Sequence, residues 1–254
     1  MFLMISCGIM NQHKEVTKTD RNYRSRKENQ IAKIVNEQAG KALQDSLINS
    51  FSIGIYHNGE TFAFHFGELT KGKMDKPNDS TLYEIASVTK TFTGTLAAKA
   101  VLDGKLSLDD DIRQYLPRHY PNLEYGGQSI KIQHLLTHTS GLPGGILGMP
   151  KLERGLDEIE FNTAYLKYEN EATKADFFDK LSRVSIQELP GTTFNYSNPG
   201  SNLMGYILSK VYDKPFQRLV EDQILSYAKI EDTYFQIPEK ERYRIANGYL
   251  LNIP

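Results

Sequence analysis

Tryptophan is absent from this 254-residue chain and cysteine occurs once. One cysteine excludes a disulfide framework and a cysteine-ligated zinc or iron–sulfur site. Long apolar runs are missing too, none reaching the roughly 18 residues of a membrane-spanning helix, and mean hydropathy is -0.47. Nor is there an excess of charge: 30 basic side chains stand against 31 acidic ones, for a net charge of -1. No nucleic-acid partner is expected, because phosphate binding wants a basic face. What is present, 39% apolar and 24% charged residues, predicts a globular protein of one large or two small domains with a substantial core. The 15 tyrosines and 12 phenylalanines are read as core and cleft walls.

The N-terminal stretch does not read as core. Met1–Met10 is short and apolar, and Asn11–Asn29 is polar, with Lys14, Lys18, Arg21, Arg24, Arg26 and Lys27. Leu3-Met-Ile-Ser-Cys7 resembles a bacterial lipoprotein cleavage site, in which a small residue precedes a cysteine that becomes lipidated. The expectation is a clipped signal and polar tether over residues 1–28, with membrane attachment through Cys7; the alternative is a disordered tail with an incidental cysteine. At the other end, Arg244–Pro254 reads as a chain about to enter a strand.

Between the ends, periodicity predicts an α+β chain. Ile31, Ile34, Val35, Ala42, Leu43 and Leu47 recur at helical spacing, giving an amphipathic helix over Glu28–Asn49. Phe51–Tyr56 and Thr61–Phe66 flank His57-Asn-Gly-Glu60, a strong hairpin signal. Val88 to Val101 marks a helix closed at Gly104, a natural left-handed terminator. A short helix is expected over Asp109–Leu116 before Pro117, then a loop-rich middle broken by glycines and prolines up to Pro150. Helices return at Thr173–Val184, Ser201–Tyr212 and Phe216–Leu225.

Ser87-Val-Thr-Lys90 opens one of these helices. Residues three apart share a helical face, so the lysine amine can reach the serine hydroxyl. A serine needs a base to become a nucleophile, and a lysine of lowered pKa can serve. A helix N-terminus adds free N–H groups and a positive dipole end, which favour developing negative charge. The bare pattern is unspecific: with 16 serines and 20 lysines about one chance match is expected, and a second occurs at Ser226–Lys229. Tyr-x-Asn is less specific still, occurring at Tyr56, Tyr120, Tyr168 and Tyr196. Only Tyr196-Ser-Asn198 follows a Pro190-Gly191 turn and precedes a helix, a context that would hold its side chains at a cleft edge. His134 and His138 stand four apart, as zinc ligands can, but no His-Glu-x-x-His pattern or third ligand accompanies them, so a structural role is favoured. Ser140 beside His138 lacks a Gly-x-Ser-x-Gly context, so an α/β-hydrolase elbow is not supported.

Taken in order, the motifs resemble one family. Glu84-Ile-Ala-Ser-Val-Thr-Lys-Thr-Phe-Thr-Gly94 resembles the nucleophile segment of the penicillin-recognising serine hydrolases, in particular the class C β-lactamases with their D,D-peptidase and esterase relatives. Gly104-Lys-Leu-Ser-Leu-Asp-Asp110 with Tyr115-Leu-Pro117, and His134-Leu-Leu-Thr-His-Thr-Ser-Gly-Leu-Pro143, are similar to that family's next segments. Pro190-Gly-Thr-Thr-Phe-Asn-Tyr-Ser-Asn198 with Asn202-Leu-Met-Gly-Tyr-Ile-Leu208 is similar to its tyrosine motif. Ile230-Glu-Asp-Thr-Tyr-Phe235 and Ala246-Asn-Gly-Tyr249 resemble weaker downstream landmarks.

The resemblance implies a β-lactamase/transpeptidase-like fold, an α/β sandwich of antiparallel sheet and helical lobe, over residues 29–254. It implies acyl transfer on amide or ester carbonyls of a small molecule or peptide in the bacterial cell envelope, with no cofactor and no metal. Ser87 would form the acyl-enzyme and its N–H would be one oxyanion donor. Lys90 and Tyr196 would share the proton transfers, and Asn198 would bind the substrate amide. The family's third motif, Lys or His, a small residue and Gly on a late strand, has no counterpart after Tyr196. His57-Asn-Gly59 and His65-Phe-Gly67 fit it loosely but precede the nucleophile. The expectation is therefore a domain lacking its C-terminal strands, and the competing reading is a truncated or degenerate, non-catalytic homologue that at most binds ligand.

Overall fold

The computed structural model describes residues 4–5, 18–145, 160, 163 and 171–248. Cys7 and Tyr168-Glu-Asn170 lie outside them. Contacts gather the chain into two compact units, one of residues 1–86 with 230–254 and one of residues 87–229.

In the first unit, β1 (Met4–Ile5) pairs antiparallel with both β4 (Tyr83–Glu84) and β7 (Thr233–Tyr234). Helix α1 spans Lys18–Ala42 rather than Glu28–Asn49, burying Val35 and Ala39. Periodicity located only its apolar stripe; the polar turns before it carry no such signal. Beyond Ala42, main-chain bonds such as Gln44 N–H to Lys41 O and Asp45 N–H to Ala42 O tighten the chain into turns.

Strands β2 (Ser50–His57) and β3 (Glu60–Gly67) form the expected hairpin. Asn58 (φ 50°) and Gly59 (φ 82°) take the two left-handed positions of its turn, a turn whose twist matches that of the strands. Register puts Phe51, Ile53 and Ile55 opposite Phe66, Phe64 and Phe62 on one face. On the other face Ser52 Oγ meets its cross-strand partner His65 Nδ1 at 2.8 Å, and His65 Nε2 meets Asp79 Oδ1 at 2.9 Å.

Arg244 closes this unit from the far end of the sequence. Its guanidinium, 8% exposed, donates to both Asp232 oxygens (3.0 and 2.7 Å), Glu241 Oε2 (2.8 Å) and Ser80 O (2.6 Å). Its main chain pairs with buried Leu82, whose N–H donates to Arg244 O while Ala246 N–H donates back to Leu82 O.

Where the chain enters the second unit, a 3-10 turn at Ala86–Val88 leads into α2 (Thr89–Leu102). Gly104 (φ 67°) ends it: Gly104 N–H donates to Val101 O and Lys105 N–H to Ala100 O, the double closure of a left-handed helix end. The helix expected at Asp109–Leu116 is reduced to a 3-10 turn at Ile112–Tyr115. Asp110 and Asp111 accept the N–H groups of Ser107 and Arg113, and Ile112 N–H goes across to Ile130 O, so local acceptors outcompete the helical ladder.

The glycine-rich middle contains a tiny hairpin, β5 (Glu124–Tyr125) and β6 (Gln128–Ser129), and a one-turn helix α3 (Ile132–Leu136). Helix α4 (Lys174–Leu181) starts at Thr173, whose hydroxyl and main-chain N–H bond reciprocally with Asp176, a capping box. Helix α5 (Asn198–Tyr212) packs on α2 and α3 through Leu203, Met204, Ile207 and Leu208. Helix α6 (Phe216–Val220) runs on through a π turn (Glu221–Leu225) to Ala228. The architecture is α+β, helices with small antiparallel sheets.

Candidate active site

The four side chains singled out in the sequence meet in the second unit. Ser87 stands in the 3-10 turn that opens α2, one residue after Ala86, which is held at φ 43°. A left-handed non-glycine residue here is a local strain the surrounding chain must maintain. Lys90, the second residue of α2, donates from Nζ to Ser87 Oγ at 3.1 Å and to Asn198 Oδ1 at 2.9 Å. Tyr196 OH lies 2.6 Å from Ser87 Oγ, and the Lys90 ammonium sits 4.9 Å from the centre of the Tyr196 ring.

These contacts set the protons. Lys90 fills a lone pair of Ser87 Oγ, so the serine hydroxyl hydrogen is free to point at the Tyr196 oxygen. The Lys90 ammonium, and after it the Ser87 hydroxyl, stabilise the phenolate and hold the Tyr196 pKa below the ordinary tyrosine value of 10.0, against partial burial. A phenol of lowered pKa at hydrogen-bond distance from a hydroxyl is equipped to act as its base. Ser87 and Tyr196 are both exposed, so the pair is open to an incoming carbonyl.

The segment that aims Tyr196 is pinned to the segment containing the two histidines. Gly191 N–H donates to Thr139 O (2.7 Å) and Asn195 N–H to His138 O (2.7 Å). Asn195 Nδ2 donates to Leu142 O (3.1 Å), Ser197 Oγ to Pro143 O (2.9 Å), and Ser197 N–H to His138 Nδ1 (3.2 Å). Fully buried Ser197 also accepts Gly200 N–H at 3.1 Å, capping α5 with Pro199 in its first turn. The middle residue of Tyr-Ser-Asn is thus the cap that fixes its two neighbours. A serine followed two residues on by proline was the available sequence signal.

His134 and His138 are both engaged through Nδ1, His134 accepting Lys131 N–H at 3.1 Å. Burial is the larger cause, and Lys131 and Lys90 respectively the next, of pKa values below the usual histidine range. The His134 ring also fills the space in front of Gly191 (φ 96°), which explains why the Pro190-Gly191 turn needs a glycine. Beneath Lys90, a pocket of about 170 Å³ is lined by Thr93, Gly94, Leu135, His138 and Met204.

Ser226–Lys229, the other match to the nucleophile pattern, lies at the opposite kind of helix end. Lys229 is the left-handed C-terminal residue (φ 53°) and returns its N–H to Ser226 O. Such an end presents carbonyls, which disfavour a developing oxyanion. His57 and Gly59, and His65 and Gly67, belong to the β2–β3 hairpin of the first unit.

Comparison with known proteins agrees on one relationship. Residues 35–253 match the family model described as Beta-lactamase. A β-lactamase of Pseudomonas fluorescens is 30% identical over 219 residues, covering 86% of this chain and 55% of that protein. A solved class C β-lactamase superposes with a TM-score of 0.69 at 26% identity, over 86% of this chain and 55% of that one. A solved β-lactamase/D-alanine carboxypeptidase from Pseudomonas syringae gives a TM-score of 0.65 at 28% identity, over 86% and 55% of the two chains. The chain spans about half the length of the curated relatives it matches.

Proposed function

The chain belongs to the β-lactamase family, and from that premise we propose that it is a serine hydrolase working through an acyl-enzyme on Ser87. The observation that carries the reading is the three-way contact of Ser87 Oγ with Tyr196 OH at 2.6 Å and Lys90 Nζ at 3.1 Å. Ser87 Oγ attacks the carbonyl carbon of an amide or ester while its proton passes to the Tyr196 oxygen. The tetrahedral oxyanion is met by the Ser87 N–H at the start of α2, where the helix dipole is positive. Tyr196 then returns the proton to the departing amine or alcohol, and the carbonyl re-forms as the acyl-enzyme. Water, deprotonated by the same tyrosine, releases the acid and restores Ser87. Lys90 stays in place as the cation that stabilises the phenolate, and Asn198 is held by Lys90 with its amide N–H₂ available to a substrate carbonyl.

β-Lactams and D-alanyl peptides are the substrate classes to try, since the similar solved proteins are described as β-lactamases and a D-alanine carboxypeptidase. The test is covalent labelling of the purified chain by a fluorescent penicillin and by an activated ester. Label should appear in wild type and in Ser226→Ala and vanish in Ser87→Ala. Labelling that persists in Ser87→Ala would refute the assignment. A location in the bacterial envelope with a lipid anchor at Cys7 is proposed separately, on the resemblance of Leu3-Met-Ile-Ser-Cys7 to a lipoprotein cleavage site. Membrane fractionation checks this, since Cys7→Ala should move the protein to the soluble fraction.

A further inference from the structure

We propose that His138 is the positioning residue of this site: as a neutral imidazole it accepts the Ser197 N–H and so keeps Tyr196 over Ser87 and Asn198 beside Lys90. The proposal rests on the acyl-transfer reading above and extends it to a residue outside the four that meet at Ser87.

Four observations carry it. The Ser197 N–H lies between the two residues to be aimed, and its acceptor is His138 Nδ1 at 3.2 Å. The His138 ring packs on the Tyr196 ring with centroids 4.5 Å apart and planes tilted by 37°, and Phe194 closes the other approach edge-on at 6.0 Å. His138 O takes the Asn195 N–H at 2.7 Å, so the residue grips this segment on both sides of Tyr196. Finally, His138 is held at φ 56°, a left-handed conformation in which its carbonyl and ring both meet the segment Asn195–Ser197 and that histidine tolerates better than most residues.

The tautomer follows from the acceptor role. A ring whose Nδ1 receives an N–H carries its own hydrogen on Nε2. An imidazolium could not accept, and it would place a second positive charge beside the ammonium of Lys90. Lys90 from α2 and the Tyr196 phenol are the titratable groups facing the ring. Burial and Lys90 both oppose its protonation. Catalytic geometry is sensitive to displacements of this kind, with a misplacement of about 1 Å able to lower a rate by roughly 100-fold.

Two substitutions separate the acceptor from the backbone requirement. Glycine and asparagine both accept a left-handed φ; asparagine offers a side-chain oxygen near the position of Nδ1, and glycine offers nothing. Each variant is measured by the rate of Ser87 labelling and by the ionisation of Tyr196, read as the tyrosinate absorbance lost on adding Tyr196→Phe to the same background. His138→Gly should label about 10- to 100-fold more slowly, and its Tyr196 should ionise at higher pH because the phenol has left Lys90. His138→Asn should recover most of the rate and the low Tyr196 ionisation.

A His138→Gly protein that matches wild type in both readouts overturns the proposal. So does a His138→Asn protein no better than His138→Gly. Should His138→Gly fail to fold, His138→Asn decides alone: loss of the low Tyr196 ionisation in that variant overturns the proposal. A wild type that no reagent labels would defeat the acyl-transfer reading, while the Tyr196 titrations would still judge the role of His138.

Discussion

Replacing Gly191 by alanine tests the link between the Pro190-Gly191 turn and the histidine segment. At φ 96° a side chain is strained even in open space, and the space here is not open. A Cβ at Gly191 would stand 2.9 Å from His134 Nε2, with the neighbouring ring carbons at 3.4 and 3.5 Å. The backbone strain is worth about 1–3 kcal/mol, and displacing a packed ring adds about 1–3 kcal/mol. A loss of about 2–6 kcal/mol is expected, a fall in thermal midpoint of roughly 4–24 °C for a chain this long. The two contributions separate in a double-mutant cycle, measured by urea unfolding. His134→Ala removes the ring, so in its background Gly191→Ala should lose only the strain component, leaving a favourable coupling of about 1 kcal/mol or more. Labelling of Ser87 should slow in Gly191→Ala and recover partly in the double variant. A single-variant loss below about 0.5 kcal/mol, or a cycle additive within that margin, would refute the packing argument.

Other perturbations probe the remaining contacts. Lys90→Met removes the donor to Ser87 and Asn198; Ser87 labelling should fall by about 10²- to 10⁴-fold and Tyr196 should ionise at higher pH, with the thermal midpoint little changed, as absorbance titration and calorimetry would register. Because His134 and His138 have pKa values below the 6.5 of the unfolded chain, the unfolded state binds more protons in that window. Stability should therefore fall as pH drops from about 7 toward 5, above the range where carboxylates titrate, and less steeply in His138→Asn; a flat profile in wild type would contradict the half-buried neutral rings. Arg244→Met leaves Asp232 and Glu241 without their shared cation, and since Asp232 is partly exposed the expected loss is about 1–3 kcal/mol. Arg244→Lys should not restore it, because a single ammonium cannot reproduce the two-pronged contact with Asp232.

Elements whose determinants are local were legible before the structure. The β2–β3 hairpin follows from Asn58-Gly59 between alternating apolar runs, and the end of α2 from Gly104, because both depend on a left-handed backbone that few residues accept. The contact of Lys90 with Ser87 follows from helical spacing. Less legible were features in which polar side chains compete with the backbone. Asp110 and Asp111 unmade the helix expected before Pro117, and the polar start of α1 carried no periodicity to reveal it. The two histidines were read as structural, but their partners were not visible, since Ser197 and Gly191 lie more than fifty residues downstream.

The sequence by itself determined the inventory of the site, a serine and lysine on one helical face and a tyrosine and asparagine flanking a helix cap, because these depend on neighbours within a turn of chain. Whether the two pairs meet is a different matter. Tyr196 and Asn198 are separated from Ser87 and Lys90 by 109 and 108 residues, and Tyr-x-Asn recurs elsewhere in the chain. Only the packing of α5 on α2 and α3, with its leading segment stitched to the backbone around His138, brings the phenol to the hydroxyl. Such an approach is decided by burial of Leu203, Met204, Ile207 and Leu208 and by hydrogen bonds made across that distance, and no local pattern encodes either.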